Sequence, residues 1–126
     1  PAREILGGLS NVSLVGPVNY PVLVRMLKDA FFVLTDSGGI QEEAPALGKP
    51  VLVFREVTER PEAVEAGGVR LVGSAPNMFL AEAERLWGDP KAYASMAKPR
   101  FPYGDGNAAK RIADILALDL ERRSNH

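Results

Sequence analysis

Phe31-Phe32-Val33-Leu34-Thr35-Asp36-Ser37-Gly38-Gly39-Ile40-Gln41-Glu42-Glu43 passes from a continuous apolar run, through a glycine pair, into a helical pattern. An apolar run without alternation suits a strand buried on both faces, as in parallel sheets. The helix is expected over Gly39 to Leu47, closed by Gly48 at the C-cap position and then by Pro50. Pro45 lies inside it and removes one backbone hydrogen bond, so the helix is expected to be short or kinked. A strand running straight into a helix is the repeating unit of a parallel α/β fold.

The same alternation extends outward. Ser10 to Gly16 reads as an earlier strand, and Tyr20 to Ala30 as a helix with Leu23, Met26, Leu27 and Ala30 on one face. Val51 to Phe54 and Val69 to Val72 read as further strands. Between them Pro61 opens a short helix that Gly67 and Gly68 close. Asn77 is expected to cap a helix bearing Phe79, Leu80, Ala83, Leu86 and Trp87. Asp89-Pro90 starts a short helix through Tyr93 and Met96, and a last helix carries Ile112, Ile115 and Leu116. The expectation is four parallel strands with helices on both faces, a Rossmann-like sheet incomplete on its N-terminal side. Arg3 to Leu9 reads as the end of a helix that began earlier, and the missing initial Met suggests a processed or truncated chain.

Composition bounds the function. The 126 residues are 46% hydrophobic and 25% charged with net charge -1, which is ordinary globular composition. No basic run could neutralise several phosphates together, which argues against a nucleic-acid partner. No apolar stretch approaches the roughly 20 residues that cross a bilayer, and cysteine is absent, which excludes disulfides and thiolate metal sites. A cytoplasmic location is the natural expectation. The lone histidine, His126, reads as a frayed tail, not a catalytic base. No metal-ligand cluster, dinucleotide fingerprint or P-loop is found, so no metal and no cofactor are expected.

In an open parallel sheet, ligands bind beyond the carboxyl ends of the strands, where Asp36-Ser37-Gly38-Gly39 lies. Glycines let a phosphate approach the backbone, and the free N–H groups and dipole of a helix start attract it. Ser37 adds a hydroxyl donor. Ser37 serves equally as a plain N-cap, and the glycines as a tight turn; spacing does not separate these readings. Asp36, which would repel a diphosphate, is assigned to holding the loop. A carboxylate at Glu42 or Glu43 could accept two hydrogen bonds from a ribose diol, or sit there only because the helix dipole favours it. Arg60, in the loop after Val51–Phe54, could clamp a phosphate or pair with Glu56, Glu59 or Glu62.

LTDSGGIQEEAPALGKPVLVFREVTERPEAVEAGGVRLVG (Leu34 to Gly73) closely resembles the central block of the C-terminal domain of the non-hydrolysing UDP-N-acetylglucosamine 2-epimerases. The similarity includes Val15 to Pro21 before it and Pro102 to Ile112 after it, and so covers nearly the whole chain. Phe101 departs from the pattern, which has asparagine before Pro102. The resemblance implies the partial C-terminal half of a GT-B fold over residues 1–126, with residues 105–122 a terminal helix crossing to an N-terminal domain. It places UDP on Ser37, Gly38 and Gly39, the ribose on Glu43, and the uracil near Val18 and its neighbours to Leu23. Thr58, Glu59 and Arg60 would line the cleft.

It further implies interconversion of UDP-GlcNAc and UDP-ManNAc by elimination and re-addition of UDP, supplying a cell-envelope polysaccharide precursor. The catalytic acid–base groups of the family would lie outside this chain, leaving it inactive alone, and the whole enzyme would be a homodimer. A hydrolysing relative, a non-catalytic nucleotide-sugar-binding module and a GT-B glycosyltransferase are the other readings. The last generally lacks a Thr-Glu-Arg-Pro-Glu block.

Overall fold

A computed structural model describes residues 1–125; His126 lies outside the described residues. Seven helices and three strands follow the chain in the order α1 (Ala2–Leu6), α2 (Tyr20–Asp29), β1 (Val33–Thr35), α3 (Gly38–Ala46), β2 (Val51–Val53), α4 (Pro61–Glu65), β3 (Val69–Leu71), α5 (Pro76–Gly88), α6 (Pro90–Met96) and α7 (Ala108–Ser124), among the described residues. The sheet is parallel with order β1-β2-β3, Leu34 registering with Leu52 and Leu52 with Arg70.

β2 is the centre of the packing. Val51, Leu52 and Val53 are all fully buried, and their alternation sends them to opposite faces. Val51 and Val53 meet Leu27, Ala44, Ala63 and Val69 on the side covered by α2, α3 and α4. Leu52 meets Val72, Leu86 and Met96 on the side covered by α5 and α6. Helices therefore cover both faces, as expected for a Rossmann-like unit.

Local chemistry sets the ends. Asn19 caps α2, its Oδ1 accepting from the Val22 N–H at 3.1 Å, and Asp89 caps α6 through the N–H groups of Lys91 and Ala92. Gly48, just past α3, has φ +71, a left-handed conformation suited to glycine. Pro45 lies inside the last turn of α3 and stays in the core, its ring packing where Gly68 has no side chain. A Cβ at Gly68 would lie 3.1 Å from the Pro45 Cβ.

Three expectations are corrected. Ser10 to Gly16 forms no strand: β1 pairs only with β2, and Ser13 to Gly16 are exposed. A segment with neither a ladder partner nor a buried face has nothing to fix it as sheet, so the sheet has three described strands instead of four. The first helix ends at Leu6, short of Leu9. Asn77 does not cap α5, because Pro76 already occupies the first turn and moves the start to Ala75.

α7 contains no buried residue, and Ile112, Ile115 and Leu116 are exposed along it. Its start is tied to the preceding turn by Asp105, which accepts from Arg111 Nη1 at 2.9 Å and Nη2 at 2.6 Å. Those bonds, then the Asn107 N–H, hold the Asp105 carboxyl below its ordinary value.

Leu52→Ala should destabilise the chain by about 2–5 kcal/mol in urea denaturation, whereas Leu116→Ala should stay within roughly 0.5 kcal/mol. The depressed Asp105 carboxyl gives a second test. Its tie to Arg111 is complete above the ordinary aspartate range and is lost as pH falls through the lowered value. An acid NMR titration of the Asn107 amide should therefore show a midpoint below 3.8, and Asp105→Asn should abolish that step.

Candidate functional site

The loop between β1 and α3 is shaped by its own side chains. The Ser37 N–H donates to Thr35 Oγ1 at 3.0 Å, turning the chain out of the strand. Ser37 occupies the N-cap position of α3 in extended conformation, yet its hydroxyl makes no cap hydrogen bond. The first N–H groups of α3 therefore lack a side-chain acceptor, and Ser37 and Gly39 are exposed at the carboxyl edge of the sheet. This is the anion-attracting end of the helix.

Arg60 closes over this loop. A Cβ at Gly38 would lie 3.8 Å from Arg60 Nη2, so the guanidinium rests beside the glycine backbone. Arg60 Nε donates to Glu42 Oε1. The Glu42 hydrogen bond, then its charge, raises the Arg60 pKa further above an already high value. None of the three sequence-neighbouring glutamates is its side-chain partner. Glu59 accepts from Arg55 at 3.1 Å, Glu62 from the Tyr103 hydroxyl at 3.4 Å, and Glu56 from the Ser74 N–H at 3.2 Å. Burial raises the Tyr103 phenol pKa, chiefly by desolvation.

Successive positions on α3 face different neighbours. Glu42 turns to Arg60, while Glu43 lines a cleft of about 180 Å³ with Tyr20, Val24, Ala46 and Leu47. Glu43 Oε2 is buried and has no hydrogen-bond partner. A buried acceptor without a donor is costly, which sets Glu43 apart from the paired Glu42. From α2 the cleft is lined by Tyr20 and Val24. Val18 is exposed ahead of that helix, and Leu23 packs against the core.

Gln41 links the two loops. Its Nε2 donates to the Ser37 carbonyl at 3.2 Å, and its Oε1 accepts from the Thr58 hydroxyl at 2.6 Å. Thr58 Oγ1 in turn accepts from the Arg60 N–H at 3.0 Å. The sequence reading passed over Gln41 and Tyr103. A polar residue at a helix position otherwise facing the core was the available signal for Gln41. Among the described residues no cluster of three His, Cys, Asp or Glu is arranged to hold a metal, and no helix is long and apolar enough to cross a membrane.

Ser37, Gly38, Gly39, Thr58 and Arg60 are thus brought together at one edge, with Glu43 on the adjoining side of α3 and Glu59 facing away to Arg55. Residues 1–117 match the family described as UDP-N-acetylglucosamine 2-epimerase. The chain is 48% identical over 116 residues to the UDP-N-acetylglucosamine 2-epimerase of Campylobacter jejuni, covering 92% of this chain and 30% of that protein. Its identity to the enzyme of Escherichia coli K12 is 52%, covering 92% and 31%. The crystal structure of UDP-GlcNAc 2-epimerase from Neisseria meningitidis, bound to UDP-GlcNAc, superposes with a TM-score of 0.86 at 47% identity, covering 91% of this chain and 31% of that one. The chain spans about 30% of the length of the relatives it matches, as one parallel α/β portion of their GT-B fold. It belongs to the UDP-N-acetylglucosamine 2-epimerase family.

Proposed function

We propose that this chain is the UDP-binding portion of an enzyme that interconverts UDP-GlcNAc and UDP-ManNAc by eliminating and re-adding UDP. The observation carrying the proposal is the juxtaposition at α3: an uncapped helix start at Ser37-Gly38-Gly39, with Arg60 beside Gly38. Elimination of UDP places negative charge on a diphosphate leaving group, and donors arranged before the reaction stabilise that charge without reorganising. In this reading the backbone N–H groups of Gly38 and Gly39 and the Ser37 hydroxyl hold the diphosphate. Glu43, whose buried Oε2 lacks a donor, accepts from the ribose hydroxyls. Val18, ahead of α2, contributes to the uracil side.

Arg60 Nε is engaged by Glu42, while Nη2 lies beside Gly38, so in this reading the guanidinium faces a phosphate with the ion pair in place. Tight binding of UDP then serves the transition state as well as anchoring the substrate. The groups that move protons at the sugar belong to other parts of the enzyme, so this chain alone turns over nothing. α7, with its exposed Ile112, Ile115 and Leu116, carries the chain toward an N-terminal domain. The complete enzyme is a cytoplasmic homodimer.

Isothermal titration of the chain with UDP should show saturable binding that Ser37→Ala combined with Glu43→Ala removes. Parent-like binding by that double variant would overturn the assignment, as would a parent chain that binds no UDP. An epimerisation assay on the chain alone should detect no product; turnover would overturn the placement of the proton-transfer groups elsewhere.

A further inference from the structure

Gln41 is 1% exposed and is the one buried polar side chain among the described residues. A buried carboxamide is costly unless both its ends find partners, and an apolar residue of similar size would fill the space without that demand. Here each end is spent on a different loop. The Ser37 carbonyl stands at the N-cap, where it ordinarily takes the first helical hydrogen bond; the Gln41 amide adds a second at 3.2 Å. The opposite end accepts the Thr58 hydroxyl proton, and the Thr58 oxygen accepts the Arg60 N–H.

The chain of bonds has one direction, which fixes every member. The Arg60 N–H donates to Thr58 Oγ1, the Thr58 O–H donates to Gln41 Oε1, and Gln41 Nε2 donates to the Ser37 carbonyl. Thr58 must therefore aim its proton at Gln41, and the carboxamide has only one useful orientation. The peptide unit is planar and trans, so anchoring the Ser37 carbonyl toward Gln41 directs the N–H of Gly38, in the same unit, the opposite way. That N–H is the first open donor of α3.

We infer that Gln41 is a positioning residue that aims the Gly38 N–H and holds the Ser37–Gly39 loop in register with the loop carrying Arg60. The inference rests on the diphosphate reading of that loop for its functional meaning, while the coupling itself is a property of the ligand-free chain. Gln41 touches no substrate in this scheme; it acts through Ser37 and Thr58. The loops after β1 and β2 thereby behave as one unit with a single geometry.

The test uses the whole 15N-labelled chain, with UDP as the probe. Thr58→Val and Gln41→Leu should each shift the Gly38 and Gly39 amide signals and weaken UDP binding about tenfold. The double variant should add little to either single one, because both remove the same connection. Thr58→Ser keeps the hydroxyl and should restore both readouts. If Gln41→Leu fails to fold, Thr58→Val and Thr58→Ser carry the comparison. Parent-like Gly38 and Gly39 signals in folded Thr58→Val would overturn the coupling whether or not UDP binds. A parent chain indifferent to UDP would sink the diphosphate reading alone, and the ligand-free spectra would still decide the coupling.

Discussion

Burial of β2 on both faces is the constraint from which the rest of the structure follows. Val51 and Val53 require apolar cover on one side and Leu52 on the other, and one layer of helices cannot supply both. Crossovers through α3 and α4 give one cover, and α5 with α6 gives the second. Parallel strands linked in this way all end at the same edge. The loops after β1 and β2 are neighbours for that reason, before any side chain in them is considered.

α3 gives this edge its chemical variety. One of its turns supplies three consecutive polar side chains, and the helical rotation of about 100° per residue sends each to different surroundings. Gln41 enters the interior, Glu42 meets Arg60, and Glu43 turns into the cleft against α2. The charge balance follows from the same rotation. Arg60 is neutralised locally by Glu42, which keeps an exposed cation close to the loop without leaving it unpaired. The uncapped helix start keeps its positive end free of any side chain of its own.

Much of this was legible in the sequence, for local reasons. β2 declared itself as an uninterrupted apolar run, and Gly48, Pro61 and Asp89 marked helix boundaries through conformations or bonds formed within a few residues. The glycine pair after β1 was readable because strand, turn and helix start are contiguous. What escaped depended on partners distant along the chain. Ser10 to Gly16 has the composition of a strand, but a strand exists only through its neighbour, and this segment pairs with none of the described strands. Arg60 had three glutamates close in sequence, whereas its partner is 18 residues away. The exchange between Glu42 and Glu43 could not be resolved until α2 was seen to pack beside one of them. The family was legible from the Leu34 to Gly73 block; the division of labour along α3 was not, because it depends on α2 and on the loop after β2.

The two ends of α3 are fastened from far along the chain. At its start, Gln41 is held by Thr58; near its end, the Pro45 carbonyl accepts from the Arg100 N–H at 3.0 Å. Contacts between distant segments carry a loop-closure entropy cost that contacts within one helix do not. The seat of the helix therefore depends on the segments around Thr58 and Arg100 as well as on its own turns. A molecule with those two contacts open would hold the Ser-Gly-Gly sequence without the geometry described for it. The geometry of this edge thus belongs to the whole chain from Thr35 to Arg100, closed on itself, and not to the local sequence alone.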